Sequence, residues 1–160
     1  MSIDVRIDTE DKGFKYRVCG IVIQDNKLLI QKIKNNKFYC LPGGHVEIGE
    51  NTEEAVIREM QEETGNEYKV ELLIAINENF FMHKEKRYHE LGFYYILSPK
   101  KRIEMRDYSI IEIDKGEPKR LEFRWVKLEE LKDIDFRPAF LIEKLVNKDF
   151  KLKHIITEEI

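Results

Sequence analysis

Apolar and polar positions along the 160-residue chain change period several times, and the period separates strands from helices. Tyr16 to Gln24 is an apolar run rich in β-branched residues, and after Asp25-Asn26 a second run covers Lys27 to Ile33, which predicts a β-hairpin. A short aromatic stretch, Phe38 to Leu41, leads into Pro42-Gly43-Gly44, a predicted tight loop. The pattern then turns helical. Asn51 is placed to cap a helix, Glu54 to complete a capping box three residues later, and Gly65 to stop it after Thr64. Tyr68 to Phe81, Glu90 to Leu97 and Leu121 to Lys127 predict further strands, with His83 to His89 as a charged connection. Two short helical patterns follow, Glu129 to Leu131 and Ala139 to Leu145. Lys100 to Arg106 and Lys115 to Arg120 read as solvated loops or strand edges, and the tail, 148–160, is compatible with either fraying or packing. Interleaved strands and helices predict an α/β fold with helices packed on a mixed sheet.

Composition narrows the class. A chain of this length with 42% hydrophobic residues is the size of one domain, so residues 1–160 are expected to form a single unit. A net charge of −3 argues against a nucleic-acid duplex as the main partner, and no eighteen-residue apolar stretch predicts a membrane-spanning helix. Met1 to Val18 mixes acids and bases without an apolar run ahead of a cleavage site, so a cytoplasmic location is expected. Cys19 and Cys40 sit in apolar, strand-like stretches and read as reduced core thiols.

The candidate chemistry lies on the helix after the glycine loop. With about 100° of turn per residue, Glu59, Glu62 and Glu63 are expected to face one way, beside an apolar stripe of Val56, Ile57 and Met60. Like charges at this spacing destabilise a helix unless a cation sits among them, and an all-oxygen donor set suits Mg²⁺, with Mn²⁺ as the alternative. The competing explanation is an exposed helix whose glutamates only solvate it.

From Gly44 the order is glycine, five residues, Glu50, seven residues, then Arg58-Glu59-Met60-Gln61-Glu62-Glu63-Thr64-Gly65. This resembles the Nudix box of the Nudix (MutT-like) hydrolases over Gly44 to Asn66. The last position departs, because the family usually carries an aliphatic residue where this chain has Asn66. Phe123-Arg124-Trp125-Val126 followed by Glu129-Glu130-Leu131 resembles a common C-terminal element. The resemblance implies an α/β/α sandwich around a mixed sheet and Mg²⁺-dependent hydrolysis of a phosphoanhydride bond in a nucleoside diphosphate derivative. By the same resemblance, Glu62 and Glu63 match the main metal-binding pair. Glu59 matches a residue that binds metal or accepts a proton from water, and Arg58 one that orients it. Glu50 matches a supporting or ligating acid, and Gly43 offers a carbonyl to the metal. The general base is left open among Glu59, Glu90, Glu112, Glu117 and Glu122.

Substrate contacts are expected from His45 beside the glycine loop, and from Phe80, Phe81, Tyr88, His89 and Glu90; Tyr108 is a further candidate for stacking on a base. Trp125 is expected in the core. Two other readings stand beside the hydrolase: a catalytically silent nucleotide-binding or sensor domain, and a member acting on capped RNA ends. A homodimer is compatible with the resemblance, though no segment of the chain requires one.

Overall fold

The computed structural model describes residues 1–159. In chain order the strands and helices are β1 (Arg6–Asp8), β2 (Lys12–Gln24), β3 (Lys27–Ile33), β4 (Gly43–His45), α1 (Thr52–Thr64), β5 (Tyr68–His83), β6 (Lys86–Pro99), β7 (Tyr108–Asp114), β8 (Glu117–Lys127), α2 (Phe140–Val146) and β9 (Lys153–Glu159), with a 3₁₀ turn, Leu128–Asp133, after β8.

Strand β2 organises the sheet. Along one edge it runs parallel to β6 from Lys12 to Val22. Along the other it pairs in turn with β1, β4 and, at Ile23-Gln24, β3. The main path is β7-β8-β3-β2-β6-β5-β9, and it is mixed, because β2–β6 and β5–β9 are parallel. Period-two alternation along β2 sends Val18 and Val22 to one face and Cys19 and Ile21 to the other. Helix α1 covers the first face with Ala55, Val56 and Met60. The second is covered by Leu141 and Leu145 of α2 and by Leu131 of the 3₁₀ turn. The result is the expected α/β/α sandwich around a mixed sheet. Among the described residues no helix is long and apolar enough to cross a membrane.

Three two-residue turns set the hairpins. Asp25-Asn26, Lys84-Glu85 and Lys115-Gly116 all have positive φ at both positions, which matches the right-handed twist of the strands they join. The charged connection expected over His83 to His89 is therefore only Lys84-Glu85, and Tyr88, His89 and Glu90 lie within β6. Likewise Lys115 to Arg120 is solvated as expected but forms the β7–β8 turn and the start of β8, and β7 is a strand that the sequence pattern did not mark. The tail packs: β9 runs parallel to β5 from Ala75↔Lys153 to Phe81↔Glu159, while Ile160 lies outside the described residues. The tip of the β7–β8 hairpin reaches back to β1, where Arg6 Nη1 pairs with Asp114 at 3.3 Å and Asp8 pairs with both Lys115 and Lys86.

Helix α1 has the caps its sequence promised. Asn51 Oδ1 accepts from Glu54 N at 2.9 Å, Glu54 Oε2 accepts from Asn51 N at 3.0 Å, and Gly65 closes the helix with φ 74°. Replacing Asn51 with Ala is expected to lower stability by about 1 kcal/mol, read as a lower urea midpoint at unchanged m-value.

Candidate active site

The loop Leu41–Pro42 delivers β4 against β2, and β4 brings the glycine backbone to α1. Gly44 lies so close to Glu59 that a Cβ there would meet the Glu59 carboxyl carbon at 2.2 Å, so the approach requires glycine. Gly43 N–H donates to Glu63 Oε2 at 3.2 Å. Glu59 and Glu63 are 8% and 4% exposed although each carries a carboxylate. A third acid, Glu112, comes from β7, and one oxygen from each of Glu59, Glu63 and Glu112 lies within 4.8 Å of the others.

Arg58 fixes the outer side of this cluster. Its Nε and Nη2 donate to the two oxygens of Glu50 at 2.8 Å each, Nη1 donates to Glu59 Oε1 at 2.9 Å, and Nη2 also donates to the His45 carbonyl at 3.0 Å. Glu50 in addition accepts from Glu47 N at 2.9 Å. Its carboxylate is thus engaged by Arg58 and backbone and stands outside the three-acid cluster. Glu62 is exposed and meets Arg58 Nη1 at 3.4 Å. The single acidic face expected of α1 is split: Glu59 and Glu63 point inward, and Glu62 toward solvent.

The other predicted residues divide in the same way. His45 follows Gly44 on β4 and pairs with Arg17 of β2, with Nε2 buried and without a hydrogen-bond partner among the described residues. Burial, with Arg17, Arg6 and Lys15 nearby, pushes its imidazole down to about 3, so it is neutral near pH 7. Glu90 approaches Arg17 Nη1 at 4.0 Å. Phe80, Phe81, Tyr88 and His89 are not gathered at the cluster. Phe80 stacks on His89 at 4.6 Å and Phe81 on Tyr88 at 5.2 Å, and Tyr88 is four positions along β6 from Gly92, the partner of Arg17, or roughly 13 Å. Tyr108 stacks on Phe123 at 4.6 Å and Trp125 packs on the core beneath α1. Of the acids considered as base, Glu122 lines an outer groove with Lys32, Tyr39 and Arg124, and Glu117 is exposed beside the hairpin turn.

Residues 13–145 match the family model of the NUDIX domain. The chain belongs to the NUDIX family. It is 45% identical to an ADP-ribose pyrophosphatase of Methanocaldococcus jannaschii over 83 residues, which are 50% of this chain and 48% of that protein. The chain thus spans about half the length of the curated relatives it matches. Its fold is similar to that of a mutator MutT protein from Bacillus halodurans (TM-score 0.62, 18% identity, 91% of this chain and 90% of that one). It is also similar to a NUDIX hydrolase from Nitrosomonas europaea (TM-score 0.62, 19% identity, 91% and 79%). At the one position where the box departs from the family, Asn66 folds back on the helix end, with its N–H 3.2 Å from Thr64 Oγ1 and its amide 3.4 Å from the Thr64 carbonyl.

The charge state of the NUDIX cluster explains its chemistry. Burial pushes Glu59 up to about 7 despite Arg58, and burial, followed by the charges of Glu112 and Glu59, holds Glu63 well above the usual carboxylate range. Glu112 is raised mainly by burial as well. Carboxylates so placed retain protons unless positive charge joins them, and three oxygen donors within 4.8 Å fit a small divalent cation. Two signals escaped the sequence reading. Arg17 and Lys15 interrupt β2 with charge at positions that share the inward parity of Cys19 and Ile21, and β7 lacks any cue that would bring Glu112 to the helix.

The shift on Glu59 has a calculable sign. The unfolded chain releases this proton near 4.5 and the folded protein near 7, so between those values the native state binds more protons and stability falls as pH rises. Thermal melts in EDTA should give a lower Tm at about pH 8 than at about pH 5, and Mg²⁺ should raise Tm more at the higher value. No fall in EDTA would count against buried, protonated glutamates. Gly44→Ala should displace Glu59 and weaken Mn²⁺ binding by about tenfold or more, measured by calorimetry, with the fold retained.

Proposed function

We propose that this NUDIX protein hydrolyses the phosphoanhydride bond of a nucleoside diphosphate derivative, with ADP-ribose the first substrate to test, and that Glu59, Glu63 and Glu112 hold Mg²⁺ or Mn²⁺ for the reaction. The observation that carries this reading is the convergence of two buried carboxylates from the box helix and a half-buried one from β7, with one oxygen of each within 4.8 Å of the others. The 45% identity to an ADP-ribose pyrophosphatase supports the substrate choice.

Bound between the carboxylates, the metal would offset charge on the phosphate oxygens and lower the pKa of a water molecule. The protein's own groups then have separable tasks. Glu112, the one candidate base from outside the helix that reaches the cluster, offers one oxygen to the cation and would accept the proton of the attacking water on its other oxygen. Arg58 holds Glu59 in place by a charged hydrogen bond while Glu50 anchors Arg58 from the other side. Gly43 N–H fixes the Glu63 carboxylate, which leaves its second oxygen for the cation. Glu62, exposed and one turn from Arg58, is available as an outer ligand once substrate and metal are both present.

With excess Mg²⁺, Glu63→Gln should lower kcat for ADP-ribose by more than about a hundredfold and weaken Mn²⁺ binding. Glu112→Gln should lower kcat comparably, with KM nearly unchanged. Separation of the products by chromatography, across ADP-ribose, nucleotide sugars, dinucleoside polyphosphates and nucleoside triphosphates, tests the class. Cleavage of none of them, or full activity in both variants, would remove the assignment.

A further inference from the structure

The inward face of β2 carries charge that the hydrolysis described above leaves without a task. Arg17 and Lys15 follow Cys19 and Ile21 at the two-residue period of the strand. Arg17 is one quarter exposed, and among the described residues its guanidinium makes no hydrogen bond; its one ion pair, with Glu90 Oε2, is 4.0 Å long. Five N–H donors in a planar fork are left to find acceptors. The Lys15 ammonium has no ion pair among the described residues and lies 4.5 Å over the Tyr88 ring. Opposite Arg17 on β4 stands His45, whose Nε2 is buried without a partner.

This basic row adjoins the acids. Arg17 pairs in register with His45, the residue after Gly43-Gly44, and the glycine pair itself meets Glu63 through the Gly43 N–H and packs against Glu59 at Gly44. The β7–β8 hairpin closes over the same space, through Asp114 to Arg6 beside Lys15 in the β1–β2 pairing. Carboxylates and unspent cationic donors held side by side suit a ligand that meets metal at one end and hydrogen-bond donors at the other.

We propose that Arg17 and Lys15, with His45 Nε2 beside them, form an anion subsite that takes the second phosphoryl group of the diphosphate, the one not under attack. The proposal rests on the hydrolytic reading for its orientation, but binding there requires no turnover. Arg17 grips the phosphoryl oxygens through its fork and Lys15 adds a point charge, while Glu90 Oε2 stands 4.0 Å from the guanidinium. The competing role for Arg17 is a counter-charge that only tempers Glu63 and Glu112.

Calorimetry with Mg²⁺ separates the two, using α,β-methylene-ADP, a cleavage-resistant diphosphate, and AMP, its monophosphate. The wild-type protein should bind the diphosphate at least about tenfold more tightly than AMP, and Arg17→Gln and Lys15→Met should each bring that ratio toward unity while AMP and Mn²⁺ affinities hold. An unchanged ratio in both variants overturns the proposal. So does a loss shared equally by AMP, or an Arg17→Gln effect confined to Mn²⁺ affinity, the mark of a counter-charge. If Arg17→Gln does not fold, Lys15→Met, which removes an ammonium with no ion pair among the described residues and keeps an apolar stem over the Tyr88 ring, decides the matter by the same ratio. A collapsed ratio in variants of a protein that cleaves no substrate would remove the proposed reaction and keep the subsite.

Discussion

Three carboxylates drawn together, two buried and one half-buried, set the terms for everything around them. Each costs desolvation, each repels the other two, and the protein spends a capped helix, a pair of glycines and an arginine to hold them there. Nothing in hydrophobic packing asks for this arrangement. Met60, Ala55 and Val56 would dock α1 on the sheet equally well with neutral residues at 59 and 63. The acids therefore mark a place where stability is given up for chemistry, the kind of local conflict expected at a functional site.

Two arginines near the cluster illustrate how hydrogen bonding distinguishes a fixed part from an available one. Arg58 donates to Glu50 twice, to Glu59, to Glu62 and to the His45 carbonyl, so its geometry is set by the protein alone. Arg17 has the same side chain and almost no partners. A residue satisfied on every side builds the site, whereas one left short of acceptors is positioned for something that arrives later.

The box helix was readable because every cue for it is local. Asn51, Glu54 and Gly65 specify its ends, and the spacing of Arg58, Glu59, Glu62 and Glu63 specifies its chemistry, within 15 residues of chain. Glu112 was readable only as one acid among several, since its partners Glu59 and Glu63 are brought to it by the β3–β8 and β7–β8 pairings, about fifty residues distant in sequence. The missed turn and the missed strand β7 have separate causes. Lys84-Glu85 turns without glycine or asparagine, and β7 places exposed Ile111 and Ile113 opposite its inward polar residues, which reverses the alternation that normally marks a half-buried strand. The split of Glu62 from Glu59 and Glu63 also needed the packed helix, because angular position fixes which residues are neighbours but not which of them the sheet covers.

Glu59 and Glu63 belong to a helix seated on the core, but Glu112 arrives on an arm whose tip is moored by Arg6–Asp114 and Asp8–Lys115 pairs at the water's edge. Ionic strength reaches those moorings and not the helix, because surface pairs are screened over about 10 Å at 0.1 M salt while buried contacts are screened far less. Brine would therefore slacken one wall of the vessel and leave the other rigid, which makes the third carboxylate the part of this centre most sensitive to salt.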